Sequence, residues 1–316
     1  MNNRAGNERG IDMTPSTPLI SVVIPYLNQP DSLLLCLGSM DQQKFDMTRV
    51  EVIVVDNGSR DLPVEICTSF KNVRLEREQT PGPGPARNKG ASVARGDIFA
   101  FVDADCVAHR NWLATIEAAF SDDTLLIAGG DMRVAFADAA NPTMLEAYES
   151  IFSYRQKEFI ERQGFSATAN LAVRKSIYLA VGPFVGIDIA EDREWGQRAA
   201  RLGYATRYLP GMIVYHPARR SLSELYVKWD RHISHDFAER EKGPWSGFAW
   251  GLRALAIGCS PVFASRRILM SRQLPSWRAR SLAALALVML RQYRARKMLR
   301  LLLGRSHPQP DRIWNR

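Results

Sequence analysis

The most informative segment of the chain is Phe99-Ala-Phe-Val-Asp-Ala-Asp-Cys106. The apolar run from Ile98 to Val102 is short and rich in β-forming residues, which is typical of a buried strand. Asp103 and Asp105 follow it, at the carboxyl end, where ligands bind in open α/β sheets. Residues i and i+2 of an extended segment point the same way, so both carboxylates can face one site. This favours a shared Mg²⁺ or Mn²⁺ ion, although aspartates in a solvated turn are the simpler alternative.

The composition is that of a globular protein. The chain has 316 residues, 46% hydrophobic and 24% charged, enough for one large domain or two small ones. Its four cysteines form no CxxC pair, which argues against a zinc site or a disulfide framework and suits a reducing cytoplasm. Cys106 lies beside the acidic pair, but no histidine-based activation pattern supports it as a nucleophile.

The charge is unevenly distributed along the chain. Residues 247–316 hold 14 lysines and arginines and one acidic residue, Asp311, a net charge of +13, whereas residues 1–246 have a net charge of −4. This basic segment predicts a polyanionic surface as partner. Residues 1–18 are polar and are predicted to be a disordered N-terminus, neither a signal peptide nor an anchor.

Apolar and amphipathic segments alternate from Leu19 onward. Strands are predicted at 20–25, 50–55, 73–75 and 98–102, and helices at 31–40 and 61–70. This order predicts an α/β protein with a doubly wound, parallel sheet. Asp56 lies at the carboxyl end of the second strand and Asp103 at the carboxyl end of the fourth. Both residues are therefore expected at the same edge of the sheet. Further along, we expect a helix at 111–120, a strand at 124–128, a helix at 142–163 and strands at 205–209 and 212–215.

Several other residues are candidates for a binding site. The Gly/Pro-rich loop from Thr80 to Gly90 contains Arg87, which either contacts a phosphate or lies on the surface of a flexible loop. Neither a P-loop nor a GxGxxG motif is present. The small residues from Ser166 to Val173, which include Asn170, are compatible with a closely approaching ligand.

Two acidic residues, Glu191 and Asp192, begin a predicted helix that ends near Gly203. They either complement the helix dipole or place a catalytic base at the mouth of the site. His216 follows a predicted strand and is either structural, a metal ligand or a phosphate contact.

Together these pieces resemble the family-2 glycosyltransferases. The matching motifs, in order, are Ser21 to Asn28, Val52 to Ser59, Pro85 to Gly90, Phe101 to Asp105, and Glu191-Asp192 in a helix. The resemblance covers roughly residues 19–226 and implies the GT-A fold, a doubly wound mixed sheet, here with a C-terminal helical extension.

The resemblance also implies roles for individual residues. Asp56 would bind the base of a nucleotide-diphosphate sugar, usually uracil, so a UDP-sugar is favoured. Asp103 would contact the ribose or the metal, Asp105 would ligate Mg²⁺ or Mn²⁺, and Asp192 would be the general base of an inverting transfer.

The remaining candidates belong to the same implied site. Those assigned to substrate or metal binding are Pro25, Arg87, Asn170, Glu191, Trp195 and His216. Among them, Pro25 and Arg87 would line the nucleotide pocket, and Trp195 would either stack on an acceptor sugar or pack in the core. His216 would be a further metal ligand.

The chain departs from the processive polysaccharide synthases of that family. It lacks the Gln-x-x-Arg-Trp motif, since Gln197 to Arg201 has neither the tryptophan nor the spacing. We therefore expect a nonprocessive enzyme of surface-glycan assembly that acts on a glycan or lipid-linked acceptor. A non-catalytic nucleotide-sugar-binding or scaffold protein is the alternative, and a nucleotidyltransferase is disfavoured because no Gly-rich basic loop follows the first strand.

We predict a catalytic domain at 19–220 and a basic helical extension at 221–316. The extension has a helix at 222–241 and apolar stretches broken by Arg253 and Pro261, none of them reaching the roughly 20 apolar residues of a spanning helix. Apolar and basic residues together favour an anionic membrane surface, with peripheral attachment at the cytoplasmic face. Helices packed on the catalytic domain are the alternative, and no motif indicates nucleic acid.

Overall fold

The computed structural model describes residues 19–186, 190–240 and 243–304. The predicted disordered segment 1–18 lies outside these residues. The strands are β1 (Ile20–Tyr26), β2 (Val50–Asp56), β3 (Val73–Arg77), β4 (Ile98–Val102), β5 (Val107–Ala108), β6 (Ile127–Ala135), β7 (Asn170–Arg174) and β8 (Thr206–Pro217). The helices are α1 (Pro30–Asp41), α2 (Val64–Thr68), α3 (Pro83–Val93), α4 (Trp112–Phe120), α5 (Met144–Phe152), α6 (Gln156–Gln163), α7 (Lys175–Val181), α8 (Glu191–Arg201), α9 (Leu222–Glu239), α10 (Ser246–Cys259), α11 (Pro261–Leu269) and α12 (Trp277–Leu302).

The strands form a single mixed sheet in the order β3-β2-β1-β4-β7-β6-β8-β5. Strands β3, β2, β1 and β4 are parallel, whereas β7 runs antiparallel to both β4 and β6. The described residues thus confirm the α/β class, and the antiparallel β7 and β5 make the sheet mixed rather than wholly parallel.

The parallel register aligns the carboxyl ends of the strands. Tyr26 at the end of β1 pairs with Asp56 at the end of β2, and β1 also pairs with β4. Helix α3 packs closely over these strands because its Gly90 has no side chain, where a Cβ would collide with Val23 of β1. Arg87, about one turn earlier on α3, is thereby brought towards the edge where the strands end.

Three predicted elements differ from the structure. The helix expected at 142–163 is two helices, and the first begins with a capping box formed by Thr143 and Glu146. The strands expected at 205–209 and 212–215 are one strand, β8, because a register shift beside Gly130 accommodates Pro210 and Gly211. For the same reason β6 continues well beyond 128 along β8.

Apolar side chains cover both faces of the sheet. A separate cluster lies among the C-terminal helices, where Leu225 of α9 and Leu287 of α12 pack with Leu145 and Tyr148 of α5. Helix α5 therefore shares its core with the C-terminal helices, although it precedes the predicted domain boundary at 220.

One helical stretch among the described residues is long and apolar enough to cross a membrane. It runs from Ser246 to Leu269, 24 residues with a mean hydropathy of 1.3, through α10 and α11. Pro261 occupies the first turn of α11 and Ser260 keeps a helical conformation, so the predicted interruption at Pro261 is the boundary between α10 and α11 within this stretch. The stretch meets the criterion by length and composition alone.

Candidate active site

The carboxyl ends of the parallel strands border a cavity of about 330 Å³. Pro25 lines it from β1, and Asp103 and Asp105 line it from the segment after β4. Glu191 and Asp192 line it from the first turn of α8. The fold thus brings the acidic residues of two distant segments to one cavity.

Arg87 joins these two segments. Its side chain is 3% exposed, with one guanidinium nitrogen 2.5 Å from Oδ1 of Asp103 and the other 2.8 Å from Oε1 of Glu191. Burial lowers the pKa of Arg87, but the two carboxylates outweigh this effect and the pKa is raised overall. The alternative of a surface arginine is therefore wrong. Arg87 is a buried cation that fixes the start of α8 to the end of β4.

Asp105 faces His216 across the end of β8. Oδ2 of Asp105 lies 3.3 Å from Nε2 of His216, whose Nδ1 lies 2.7 Å from the carbonyl oxygen of Pro217 and 2.8 Å from the hydroxyl of Tyr154. A carbonyl oxygen only accepts hydrogen bonds, so we assign a proton to Nδ1. Nε2, on the side of Asp105, is then the ring nitrogen that a metal ion can use.

This arrangement has the donors of a metal site. When Nε2 carries no proton, it offers a nitrogen ligand 3.3 Å from the carboxylate oxygen of Asp105, so one cation can bind both atoms. Asp105, Cys106 and His216 have potential ligand atoms within 4.8 Å of one another. Burial, with the nearby charge of Asp103, raises the pKa of Asp105 although His216 lowers it. A carboxylate with a neutral imidazole fits Mn²⁺ or Mg²⁺.

Cys106 and Asp103 lie at the margin of this cluster. The Cys106 thiol is fully buried, and burial followed by the charges of Asp105 and Asp103 raises its pKa well above the usual range. It stays protonated, so the structure gives no support to a nucleophilic role. Oδ1 of Asp103 is held by Arg87, which leaves Oδ2 as the oxygen available to a ligand.

Asp192 has the properties of a proton acceptor. Its Oδ1 accepts a hydrogen bond from the backbone N–H of Arg193 at 2.7 Å. Burial and the neighbouring charge of Glu191 raise the pKa of Asp192 to about 6. Glu191 is bound to Arg87, whereas within the described ranges no lysine or arginine forms an ion pair with Asp192. The two adjacent carboxylates therefore differ: one is structural and the other is open to the cavity.

Asp56 holds the turn after β2. Its carboxylate accepts hydrogen bonds from the backbone N–H groups of Gly58 and Ser59, both at 3.3 Å, and the residue is buried. The next residue, Asn57, lines the cavity and accepts a 2.7 Å hydrogen bond from the N–H of Gly82. Asn57 therefore connects this turn with the Gly/Pro-rich loop before α3.

Two predicted substrate-binding residues lie in the core. Asn170 is fully buried, where it accepts from Nε1 of Trp112 at 2.9 Å and donates to the carbonyl oxygens of Asp131 and Met212. Trp195 is also buried and donates through Nε1 to the carbonyl oxygen of Gly182. Neither side chain reaches the cavity, so the assignment of both residues to substrate binding is corrected to a structural role. Trp195 packs in the core, which was the alternative expected for it.

Sequence reasoning did not identify Asn57 or Tyr154. Asn57 directly follows Asp56 in a strand-ending motif, so its position carried a usable signal. Tyr154 was one of several aromatic residues between 142 and 163, and nothing in that pattern indicated its contact with His216.

Comparisons with known proteins agree with this geometry. The profile described as "Glycosyl transferase family 2" matches residues 21–182. Glycosyltransferase AglE of Haloferax volcanii is 34% identical over 214 residues, 66% of this chain and 69% of that protein. The pre-mycofactocin glycosyltransferase of Mycobacterium tuberculosis is 28% identical over 66% of this chain, and the match spans 45% of that protein.

Solved structures share the fold. The mannosyltransferase PcManGT from Pyrobaculum calidifontis, in complex with GDP-Man and Mn²⁺, has a TM-score of 0.57 and 18% identity, covering 92% of this chain and 89% of that one. TarS 1-349 of S. aureus, in complex with UDP-GlcNAc, has a TM-score of 0.50 and 18% identity, covering 90% and 92%. The sheet with its C-terminal helices is thus the GT-A fold, as expected from the motifs. With a matching family profile over half of the sequence and a similar relative over two thirds of it, the chain belongs to the family-2 glycosyltransferases.

Proposed function

We propose that this glycosyltransferase is an inverting, metal-dependent enzyme that uses a nucleotide-diphosphate sugar, with a UDP-sugar favoured. The observation that carries the proposal is Asp192, whose carboxylate opens into the same cavity as Asp103 and Asp105 and has a pKa of about 6. A general base works best with a pKa near the working pH, where it is ionised yet still accepts a proton.

The donor would bind along the carboxyl edge of the sheet. Pro25 and Asn57 line one part of the cavity and are placed to contact the nucleoside. The contact of Asp56 with the base remains part of this proposal. The carboxylate of Asp56 is already oriented by hydrogen bonds from the N–H groups of Gly58 and Ser59. Arg87 would line the nucleotide pocket, where it holds Asp103 in place, and its Nε has no hydrogen-bond partner among the described residues.

The transfer step is a single displacement. The acceptor hydroxyl oxygen forms a bond to the anomeric carbon, its proton moves to the carboxylate of Asp192, and the bond from that carbon to the diphosphate oxygen breaks. Glu191 cannot take the base's role in the same way, because it is neutralised by Arg87 at 2.8 Å. Attack from the face opposite the leaving group inverts the anomeric centre.

Asp105 and His216 would hold the metal ion, with Asp103 nearby. When bound, Mn²⁺ or Mg²⁺ would neutralise charge on the departing diphosphate. Carboxylates suit both ions, and the imidazole shifts the preference towards Mn²⁺. Mn²⁺ is present in the PcManGT complex, which supports this choice.

The acceptor is proposed to be a hydroxyl of a glycan or a lipid-linked sugar in surface-glycan assembly, which receives one sugar per encounter. The enzyme would act in the cytoplasm, attached peripherally to the inner face of the membrane, and would not bind nucleic acid. The basic C-terminal helices support this attachment to the membrane.

The test is hydrolysis and transfer with UDP-, GDP- and dTDP-sugars in the presence of Mn²⁺ or Mg²⁺. We expect metal-dependent release of one nucleoside diphosphate, lost in Asp105→Ala, and loss of acceptor transfer in Asp192→Asn. Asp123→Asn, which replaces a fully exposed carboxylate, is the matched control and should behave as wild type. Donor binding without turnover against a panel of lipid-linked and glycan acceptors would instead favour the non-catalytic binding protein.

A further inference from the structure

Helices α10 and α11 present a row of large apolar side chains to solvent. Phe263 is 82% exposed, Trp245 and Val262 are each 76% exposed, and Phe248 is 70% exposed. Leu252 and Leu255 are exposed as well. Ordinary soluble surfaces show such residues singly, whereas a contiguous patch marks an interaction surface.

The spacing places these side chains on one side of α10. Residues 245, 248, 252 and 255 recur at intervals of three and four, the repeat of one helical face. The opposite face is buried against α12, where Trp250 donates through Nε1 to the carbonyl oxygen of Met298 at 3.0 Å. Gly247 and Gly251 lie against Leu302, which lets the two helices approach closely. Helix α10 therefore packs on α12 through its other face, and α12 does not cover the solvent-facing row.

The segment that carries this row is strongly basic. Residues 243–304 contain 11 lysines and arginines and no aspartate or glutamate. On α11, Arg266 lies four residues from Val262 and Arg267 lies four residues from Phe263, so exposed charges and exposed apolar groups are neighbours on one helix. Arg272, in the segment before α12, and Arg278, in its first turn, are also exposed.

We propose that Trp245, Phe248, Leu252, Leu255, Val262 and Phe263 form an in-plane anchor that inserts into the headgroup region of an anionic lipid leaflet, with Arg266 and Arg272 contacting the lipid phosphates. We call this set of residues the anchor face. An interfacial helix combines an inserted apolar face with basic residues at headgroup level, and both features occur here. The proposal does not depend on the donor or the acceptor of the transfer reaction.

The anchor face lies on the membrane and does not cross it. Ser246–Leu269 has the length of a spanning segment, but its inner face packs on α12. Helix α12 carries seven lysines and arginines among its 26 residues, and these charges would have to enter the hydrocarbon with it. Charged side chains at the bilayer centre are strongly unfavourable, so the packed helices stay at the interface.

A second copy of the chain is a poorer occupant of the anchor face. A symmetric contact would oppose two surfaces on which Arg266, Arg272 and Arg278 are exposed and to which residues 243–304 contribute no aspartate or glutamate. Like charges juxtaposed in this way disfavour association, whereas anionic lipid complements them.

The test is co-sedimentation of the full-length protein with vesicles of phosphatidylcholine alone or with 30% phosphatidylglycerol. We expect binding to the anionic vesicles that weakens with salt, and a blue shift of tryptophan fluorescence because Trp245 enters the interface. Phe248→Ser/Phe263→Ser should lower the partition coefficient more than tenfold. Arg266→Gln/Arg272→Gln should lower it by about fivefold per arginine at low salt.

Matched controls replace similar residues elsewhere. Leu35 and Leu179 are 65% and 66% exposed on the sheet domain, so Leu35→Ser/Leu179→Ser should bind vesicles as wild type does. Arg110→Gln/Arg162→Gln is the corresponding charge control. Circular dichroism and thermal melting of each variant establish that it is folded.

Three outcomes overturn the proposal. The first is no binding to anionic vesicles by folded wild type, or an equal loss of binding in the control variants. The second is a concentration-dependent dimer that Phe248→Ser/Phe263→Ser abolishes while vesicle binding is unaffected. The third is resistance of the membrane-bound protein to extraction by alkaline carbonate, which would show a spanning segment. Extraction by carbonate together with the expected partition losses supports the in-plane anchor.

Discussion

Replacing Arg87 by methionine tests whether the buried cation holds the active site together. The substitution leaves Asp103 and Glu191 facing the space that the guanidinium occupied, at present 2.5 Å and 2.8 Å from it. Removing one partner of a buried ion pair costs about 3–5 kcal/mol. Because the Asp103 side chain is 32% exposed and partly hydrated, we expect a loss of stability at the lower end of this range, about 3 kcal/mol.

The measurement is thermal unfolding of Arg87→Met, and a loss of about 3 kcal/mol corresponds to a fall in Tm of about 6 to 12 °C. The matched control is Arg49→Met, since Arg49 pairs with Glu117 at 2.6 Å while both side chains are well exposed, 45% and 38%. That pair should contribute less than about 1 kcal/mol. The double variant Arg87→Met/Glu191→Gln tests whether the two residues interact. Its loss in free energy of unfolding should be smaller than the summed losses of the two single variants, by at least about 1 kcal/mol. Equal falls in Tm for Arg87→Met and Arg49→Met would show that the buried ion pairs of Arg87 stabilise the protein no more than an exposed one.

Further predictions concern the proposed base, the metal ligands and the core. With the pKa of Asp192 raised to about 6, kcat/KM should fall about tenfold per pH unit below pH 6, because the protonated carboxyl cannot accept the acceptor proton. Asp192→Asn should lower kcat/KM by about 10²–10⁴-fold, and a rate profile unchanged by this substitution contradicts the assignment. A raised pKa means that ionisation opposes folding above pH 6, so Asp192→Asn should have a higher Tm than wild type at pH 8, with the difference shrinking towards pH 4. Tyr154→Phe should weaken Mn²⁺ binding about tenfold by calorimetry, and His216→Ala more, since Tyr154 orients the imidazole; equal affinity in Tyr154→Phe and wild type would remove that role. Asn170→Ala should lower the free energy of unfolding in urea by about 2 kcal/mol or more, because Trp112 Nε1 loses its acceptor, while KM for donor and acceptor stays unchanged in the folded variant.

The convergence of the cavity residues could be predicted because it depends on topology alone. Pro25 and Asp103 line the cavity and Asp56 precedes the lining residue Asn57; all three are at or just beyond the carboxyl end of an apolar segment, and parallel strands bring such ends to one edge. The position of Asp192 in the first turn of α8 could be predicted because acidic residues open a helix with a clear stop at Gly203. These signals are local in sequence, so no knowledge of side-chain packing was needed.

The direction of each side chain could not be predicted in the same way. Arg87 and Glu191 are 104 residues apart, and their contact depends on how α3 and α8 pack. Asn170 carries the donors and acceptors of a ligand-binding residue, but the structure uses all of them to fix the register shift beside Gly130 and the indole of Trp112. Trp195 lies on α8 near the cavity in sequence, yet its side chain points to the opposite side, between Tyr178 and Phe184.

The shared core of α5 and α12 has a consequence for biosynthesis. Tyr148 and Leu145 of α5 are synthesised long before Leu287 and Leu290 of α12, with which they are clustered in the finished protein. While the chain emerges from the ribosome, the sheet can assemble its strands, but the apolar face of α5 is only partly covered, by residues such as Leu225, until residues 277–302 have left the exit tunnel. Helix α12 also packs against α10. Its synthesis therefore completes both the core under α5 and the helices that we propose bind the membrane. A premature stop before α12 would therefore yield a chain with an exposed apolar helix, a target for quality control rather than a free-standing catalytic domain.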